Sequence, residues 1–239
     1  MTEALFRTDP YQRESEATVL TINERGGIVL DRSIFYPTSG GQPGDSGTLT
    51  APAGVCPIAT TVYDEDRTTI VLVAPEDAPR PRAGDTVTLT LDWDRRHARM
   101  RMHTALHLLC SLIPFPVTGG QIGDGDGRLD FDIEDAGALD KDELTQRLNA
   151  LIEADHPVMT RWITDAELEA NPGLVRTMAV KPPMGTGKVR LVEIGDGGAI
   201  DCQPCGGTHV RSTAEIGPIS VTKIEKKGRQ NRRVRIAFA

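Results

Sequence analysis

Aromatic residues make up only 4% of the 239-residue chain, which argues against a base-stacking RNA platform of the RRM kind. The 4 cysteines are too few for a disulfide scaffold at this length, and read as reduced thiols or metal ligands. No apolar run reaches the roughly 18 residues of a membrane span. The opening MTEALFRTDPYQRE lacks the basic-then-apolar pattern of a secretion signal, so a cytoplasmic protein is expected. Internal repeats and low-complexity segments are absent too. With 38% hydrophobic and 26% charged residues, the chain fits one large soluble domain or two small ones.

The formal net charge is -7, but the charge is unevenly placed. Carboxylates crowd residues 124–143 (Asp124, Asp126, Asp130, Asp132, Glu134, Asp135, Asp140, Asp142, Glu143). Cations crowd residues 223–235 (Lys223, Lys226, Lys227, Arg229, Arg232, Arg233, Arg235), and a second knot holds Arg95, Arg96, Arg99 and Arg101. Composition alone favours solvated faces for such runs; the functional alternative is a polyanion contact, in which Lys and Arg neutralise phosphates.

Two halves of different texture follow. Residues 1–92 are rich in Thr, Val, Gly and Pro, and predict a small β-barrel or sandwich. Its strands are expected at Ala17–Ile22 and Gly27–Leu30 (a hairpin), then at Gly47–Thr50, Ile58–Tyr63, Thr68–Val73 and Thr86–Trp93. Between them Phe35–Gly44 is too polar and glycine-rich for a strand and reads as a shaped loop, in which Gly40-Gly41 allows close backbone approach. Residues 93–239 read as α+β. A helix over Arg95–Ile113, capped by Asp92 or Asp94 and stopped by Pro114, carries an apolar stripe of Met102, Leu106, Leu109 and Ile113. A second helix is expected at Asp140–Ala154, with Leu144, Leu148, Leu151 and Ile152 inward, and a short one at Asp165–Ala170. Strands are expected at Leu129–Ile133, Val189–Ile194, Ile219–Ile224 and Arg233–Phe238.

The chemistry lies in two motifs about a hundred residues apart. His103-Thr-Ala-Leu-His107 puts two imidazoles at i and i+4, on one helix face, beside the apolar stripe and pointing into a cleft. Cys205-Gly-Gly-Thr-His209 can fold back so that thiolate and imidazole converge. Neither motif is a full ligand set, but His103, His107, Cys205 and His209 together make four tetrahedral zinc ligands. Cys110, three residues past His107, is an alternative ligand, and Cys202-x-x-Cys205 an alternative knuckle weakened by Pro204. Cys56 reads as a small core residue. HTALH lacks the general-base Glu of a zinc protease, and Gly185-Thr-Gly-Lys188 lacks the Ser/Thr of a phosphate loop and reads as a turn.

HTALH, CGGTHV with its following EIG, and KGRQNRRVRI resemble the editing module shared by alanyl- and threonyl-tRNA synthetases. FYPTSGGQPGDSG, residues 35–47, is similar to the glycine-rich stretch that precedes that module in alanyl-tRNA synthetase. Without the synthetase's long aminoacylation part, the chain resembles the free-standing alanyl-tRNA editing proteins (AlaX). That resemblance implies an α+β editing domain of the threonyl/alanyl type over residues 93–239, behind the β-barrel-like glycine-rich domain. It implies one Zn2+ on His103, His107, Cys205 and His209, and hydrolysis of seryl- or glycyl-tRNA(Ala). It further implies an amino-acid pocket with Gln121, Thr38, Gly40 and Gly41, although Leu106 stands where synthetase modules often carry Thr. With tRNA as partner, Arg95, Arg96, Lys226, Lys227, Arg229, Arg232 and Arg233 become expected phosphate contacts, with the acidic run facing away. The alternatives are a non-catalytic zinc-stapled RNA-binding module, and editing of another aminoacyl-tRNA.

Overall fold

The structure, a computed structural model, describes residues 2–133, 139–176 and 187–239. It divides into two compact units, Met1–Ala98 and Arg99–Ala239, so the division falls inside the first long helix rather than at residue 92. Gly185 and Thr186 of the expected turn, and Glu134 and Asp135 of the acidic run, lie outside the described residues. Among the described residues no helix is long and apolar enough to cross a membrane.

The first unit pairs β1 (Glu3–Ala4) with β4 (Arg32–Ser33) and builds a larger sheet from seven strands. These are β2 (Glu14–Ile22), β3 (Ile28–Leu30), β5 (Gly47–Ala51), β6 (Gly54–Ile58), β7 (Thr60–Tyr63), β8 (Ile70–Val73) and β9 (Thr86–Leu91). Their order is β6-β5-β9-β2-β3-β8-β7, antiparallel throughout. The edge strands β6 and β7 are joined through Ala59 alone, so the sheet curls until its edges nearly meet, barrel-like. Of the expected strand over Ile58–Tyr63, Thr60–Tyr63 is β7, while Ile58 ends β6, a strand that was not expected. Alternation sends Ala17, Val19, Val87, Leu89 and Leu91 into one core with Ile28, Leu30, Phe35, Leu49 and Leu72. Each such fully buried large side chain contributes roughly 1.5–3 kcal/mol. Thr68 and Thr69 are not in a strand: both their amides donate to Asp66 Oδ1 at 2.8 Å, a local turn that outcompetes the sheet. Within Phe35–Gly44, Ser39 and Gln42 exchange backbone hydrogen bonds (3.1 and 2.9 Å) around Gly40 at φ 55° and Gly41 at φ 82°. A two-residue turn with both φ positive needs that Gly-Gly pair.

Helix α1 (Trp93–Leu112) starts at Trp93, which the sequence placed in a strand. Asp92 is the cap, accepting from the Arg95 amide through Oδ1 at 3.4 Å. Met102, Leu106, Leu109 and Ile113 are buried as expected, but so is every residue from Met102 to Cys110. The helix is enclosed on all sides there rather than amphipathic. In the second unit β10 (Val117–Ile122), β11 (Asp126–Asp132), β15 (Ile219–Lys226) and β16 (Asn231–Phe238) form an antiparallel sheet ordered β10-β11-β16-β15. Gly127 of β11 lets α1 close on this sheet: a Cβ there would lie 2.9 Å from both Met102 Cγ and Sδ. Helix α2 (Lys141–Glu153) buries Leu144, Leu148 and Ile152, while Leu151 is only half-buried. Its Asn149 side chain is bonded to both the amide and the carbonyl of Ile219 on β15, at 2.9 and 2.8 Å. A second antiparallel sheet joins β12 (Val158–Ile163), β13 (Val189–Ile194) and β14 (Asp201–Pro204), with helix α3 (Asp165–Ala170) following β12. Strands β10, β12 and β14 were not expected. The first carries Gly119-Gly120, the second is mostly exposed and the third ends on proline, so none shows strand alternation in its sequence.

Candidate metal centre

Helix α1 supplies His103 and His107, and the bend after β14 supplies Cys205 and His209, all within the second unit. One potential ligand atom from each lies within 4.8 Å of the others. Cys205 Sγ is 3.5 Å from His103 Nε2 and 3.3 Å from His209 Nε2. Zinc bonds of about 2.0–2.1 Å to nitrogen and about 2.3 Å to sulfur put tetrahedral N···S neighbours roughly 3.6 Å apart, so the donor set fits that ion. The bend is held from behind by Arg190, 5% exposed, whose Nη1 donates to the carbonyls of Cys205 and Gly207, both at 2.9 Å. The Gly207 amide donates to Cys205 Sγ at 3.4 Å.

Three groups absent from the sequence reading complete the centre. His107 Nδ1 donates to Asp201 Oδ2 at 2.8 Å, and Gln203 Nε2 donates to both Asp201 oxygens at 3.0 and 2.9 Å. Thr104 donates its hydroxyl to the Met100 carbonyl at 2.9 Å, so its oxygen accepts from His209 Nδ1 at 3.2 Å and from the Val210 amide at 3.3 Å. No pattern in the sequence marked Asp201 and Gln203: only strand β14 turns the first and third side chains of Asp201-Cys-Gln-Pro inward, while Cys202 is half-exposed beside Glu193. Cys202 therefore stands outside the cluster, which closes the CxxC alternative. Cys110 also stands outside it, buried, with its thiol pushed up by that burial.

Burial opposes ionisation of Cys205, but the His103 and His209 imidazoles hold its thiol well below the ordinary value. Burial also works against charge on His107, yet the Asp201 bond and the Cys205 sulfur raise it to about 10. His209 is driven well below the usual imidazole range, first by burial and then by His103. A thiolate among converging imidazoles is the electrostatic setting of a metal-binding cysteine.

The remaining expected site residues fall elsewhere. Gln121 is on strand β10, not in a loop; its exposed side chain accepts from Arg128 Nε at 3.2 Å. In the first unit Thr38, Gly40 and Gly41 form the exposed tip of the glycine-rich loop. The Thr38 hydroxyl donates to Thr61 O at 3.3 Å and accepts from the Gly44 amide at 2.8 Å.

The basic residues sort sharply. Arg96 is 1% exposed: its Nε and Nη2 meet Asp45 Oδ2, Nη1 donates to Pro10 O at 2.9 Å and Nη2 to Ile34 O at 2.7 Å. It cannot reach a phosphate. Arg232, 3% exposed, is excluded for the same reason. Arg233 is forked onto Asp130 through Nε and Nη2 at 2.7 and 2.8 Å, and Asp130 is held below the usual carboxylate range by Arg233 and Arg128 against the cost of burial. Asp130 belongs to the acidic run, so that run does not simply face away from the basic one: antiparallel pairing of β11 with β16 sets Asp130 opposite Arg233. Asp124 likewise meets Arg99 at 2.6 Å. Glu225 takes Arg235 at 2.7 Å, Lys223 at 3.1 Å and Lys227 at 3.9 Å. Lys226 and Arg229 are exposed and make no ion pair among the described residues. Arg95 is exposed, its Nη1 3.3 Å from Ser46 Oγ.

A barrel-like unit precedes an α+β unit that carries the His3Cys donor set, and each contains a match to a family model of tRNA-synthetase domains. The family model described as "Threonyl and Alanyl tRNA synthetase second additional domain" matches residues 189–235, and that of "tRNA synthetases class II (A)" matches residues 4–95. The alanyl-tRNA editing protein AlaX-M of Methanosarcina acetivorans is 36% identical, over 98% of this chain and 98% of its own. That of Methanosarcina barkeri is 35% identical over the same shares. The alanine–tRNA ligase of Pyrobaculum aerophilum is 34% identical over 94% of this chain but only 25% of the ligase. The chain belongs to the alanyl-tRNA editing protein (AlaX) family.

Proposed function

We propose that the chain is a trans-editing aminoacyl-tRNA hydrolase, cleaving the ester that joins serine or glycine to the 3′ end of tRNA(Ala). The observation that carries this reading is the convergence of His103, His107, Cys205 and His209 in a chain aligned with AlaX-M over nearly its whole length. These four residues would hold one Zn2+, which when bound supplies positive charge to polarise an ester carbonyl, activate water or anchor the substrate's amino group. Cys205 is the most accessible of the four, and a side chain at the neighbouring Gly206 would meet nothing within 4 Å, so substrate approaches from this bend. Thr38, Gly40, Gly41 and Gln121 are proposed contacts for the amino acid. With one bond donated and one accepted, Thr38 keeps a lone pair that can accept from a serine hydroxyl. Polar groups left unpaired by alanine would disfavour the correct product. Lys226, Lys227, Arg229 and Arg95 are the proposed phosphate contacts. Four free thiols suit a cytoplasmic setting.

Four protein ligands also make a closed set, which favours as second reading a zinc-stapled RNA-binding module without catalysis. Deacylation of Ser-, Gly- and Ala-tRNA(Ala), with metal content measured on the same sample, separates the two. The hydrolase reading expects turnover of Ser- or Gly-tRNA(Ala), sparing of Ala-tRNA(Ala), about one zinc per chain, and a folded Cys205→Ala protein with turnover lowered at least a hundredfold. A folded, zinc-loaded parent inactive on all three overturns it.

A further inference from the structure

The hydrogen bonds behind the metal centre are of two kinds. His107 is backed by a carboxylate, Asp201, itself 6% exposed and fixed by Gln203 through both oxygens. His209 is backed by a neutral hydroxyl, Thr104, 0% exposed and committed by its single proton to the Met100 carbonyl. A carboxylate only accepts, and a hydroxyl that has given its proton to a carbonyl can only accept as well. Both Nδ1 atoms must therefore carry a proton, which leaves Nε2 of His107 and of His209 as the nitrogen open to a cation, in exchange for any proton held there.

We propose that Asp201 and Thr104 are positioning residues of the centre: each locks one histidine into the Nδ1–H tautomer that presents Nε2 to the metal, Asp201 as the strong anchor and Thr104 as the weak one. The inference rests on the metal reading above and deepens it. A carboxylate behind a ligating imidazole raises its donor strength and fixes the ring plane, whereas a hydroxyl mainly fixes the plane. The two ligands are thus unequal, with His107 the firmly held one and His209 the one that yields first.

The test is zinc affinity by chelator competition on the full chain, with the cobalt(II) absorption spectrum as a second readout. Asp201→Asn presents an amide NH2 either to Gln203 or to His107, both donors, and is expected to weaken zinc about 10–100-fold. Thr104→Val keeps shape but removes the acceptor. Its expected loss is smaller, roughly tenfold or less, with a shifted cobalt spectrum, and Thr104→Ser is expected to restore both affinity and spectrum. The Thr104 pair also keeps the assignment testable if Asp201→Asn fails to fold. A merely structural role would lower the unfolding temperature of the metal-free variants equally for Val and Ser and leave affinity and cobalt spectrum unmoved; that result overturns the proposal. Zinc bound as tightly by Asp201→Asn as by the parent overturns the Asp201 assignment alone. A parent that takes up no divalent metal overturns the metal reading and this assignment together.

Discussion

Each unit buries a group of strongly polar side chains, and the two groups are built on opposite principles. In the first unit Arg96 meets Asp45 and two carbonyls, so donors face acceptors and the guanidinium is satisfied by protein alone. In the second, three imidazoles and a thiolate turn ligand atoms toward one point, with Cys205 Sγ 3.5 and 3.3 Å from His103 and His209 Nε2. Burying polar groups is costly unless they are paired. A buried set of complementary groups is therefore architecture, whereas a buried set of potential ligand atoms converging on one point could hold a cation.

The comparison breaks most readily at Arg96. If it is architecture, Arg96→Ala strands Asp45 and costs about 3–5 kcal/mol in denaturant unfolding. Unchanged stability with weakened tRNA binding would return Arg96 to the RNA surface. The next effect sharpens the division among the cations. Replacing Lys226 and Arg229 together with Ala should reduce the slope of log affinity for tRNA against log salt by about 1–2, since each phosphate contact contributes roughly 0.7–0.9. Arg232→Ala should leave the slope alone, and a slope insensitive to Lys226 and Arg229 removes that hairpin end from the interface.

The smallest effect concerns Glu225, held down to about 2 by Arg235 and Lys223. Its folded value is depressed, so its contribution to stability is whole above the ordinary value of 4.5 and is lost as the pH falls toward about 2. Glu225→Gln should flatten the decline of unfolding temperature across that window. Parallel declines would show that this exposed ion cluster adds nothing, as many surface pairs do not.

The sequence was most legible where the relevant geometry is local. His103 and His107 share a face because a helix turns once in about 3.6 residues. Cys205 and His209 converge because Gly206-Gly207 permits a tight bend. The hairpin at Asn23–Gly26 was readable for the same reason, and its Asn23 side chain does accept from the Gly27 amide at 2.7 Å. Legibility failed at β10, β12 and β14, where glycine, exposure or a short span erased the alternation that marks a strand. It failed also at Thr104, since a threonine inside a helix gives no sign that a distant histidine leans on it.

Charge shows the boundary best. From the sequence alone come the two basic runs, the acidic run and the two pairs of candidate ligands, because spacing along the chain fixes local direction; that the pairs meet was decided by the fold. Only tertiary structure decided which cations remain available. Pairing of β11 with β16 put Asp130 against Arg233, and folding of the first unit drew Arg96 down to Asp45. Those partners lie far apart in the chain, and electrostatic energy depends on distance in space, which register and packing set and sequence separation does not.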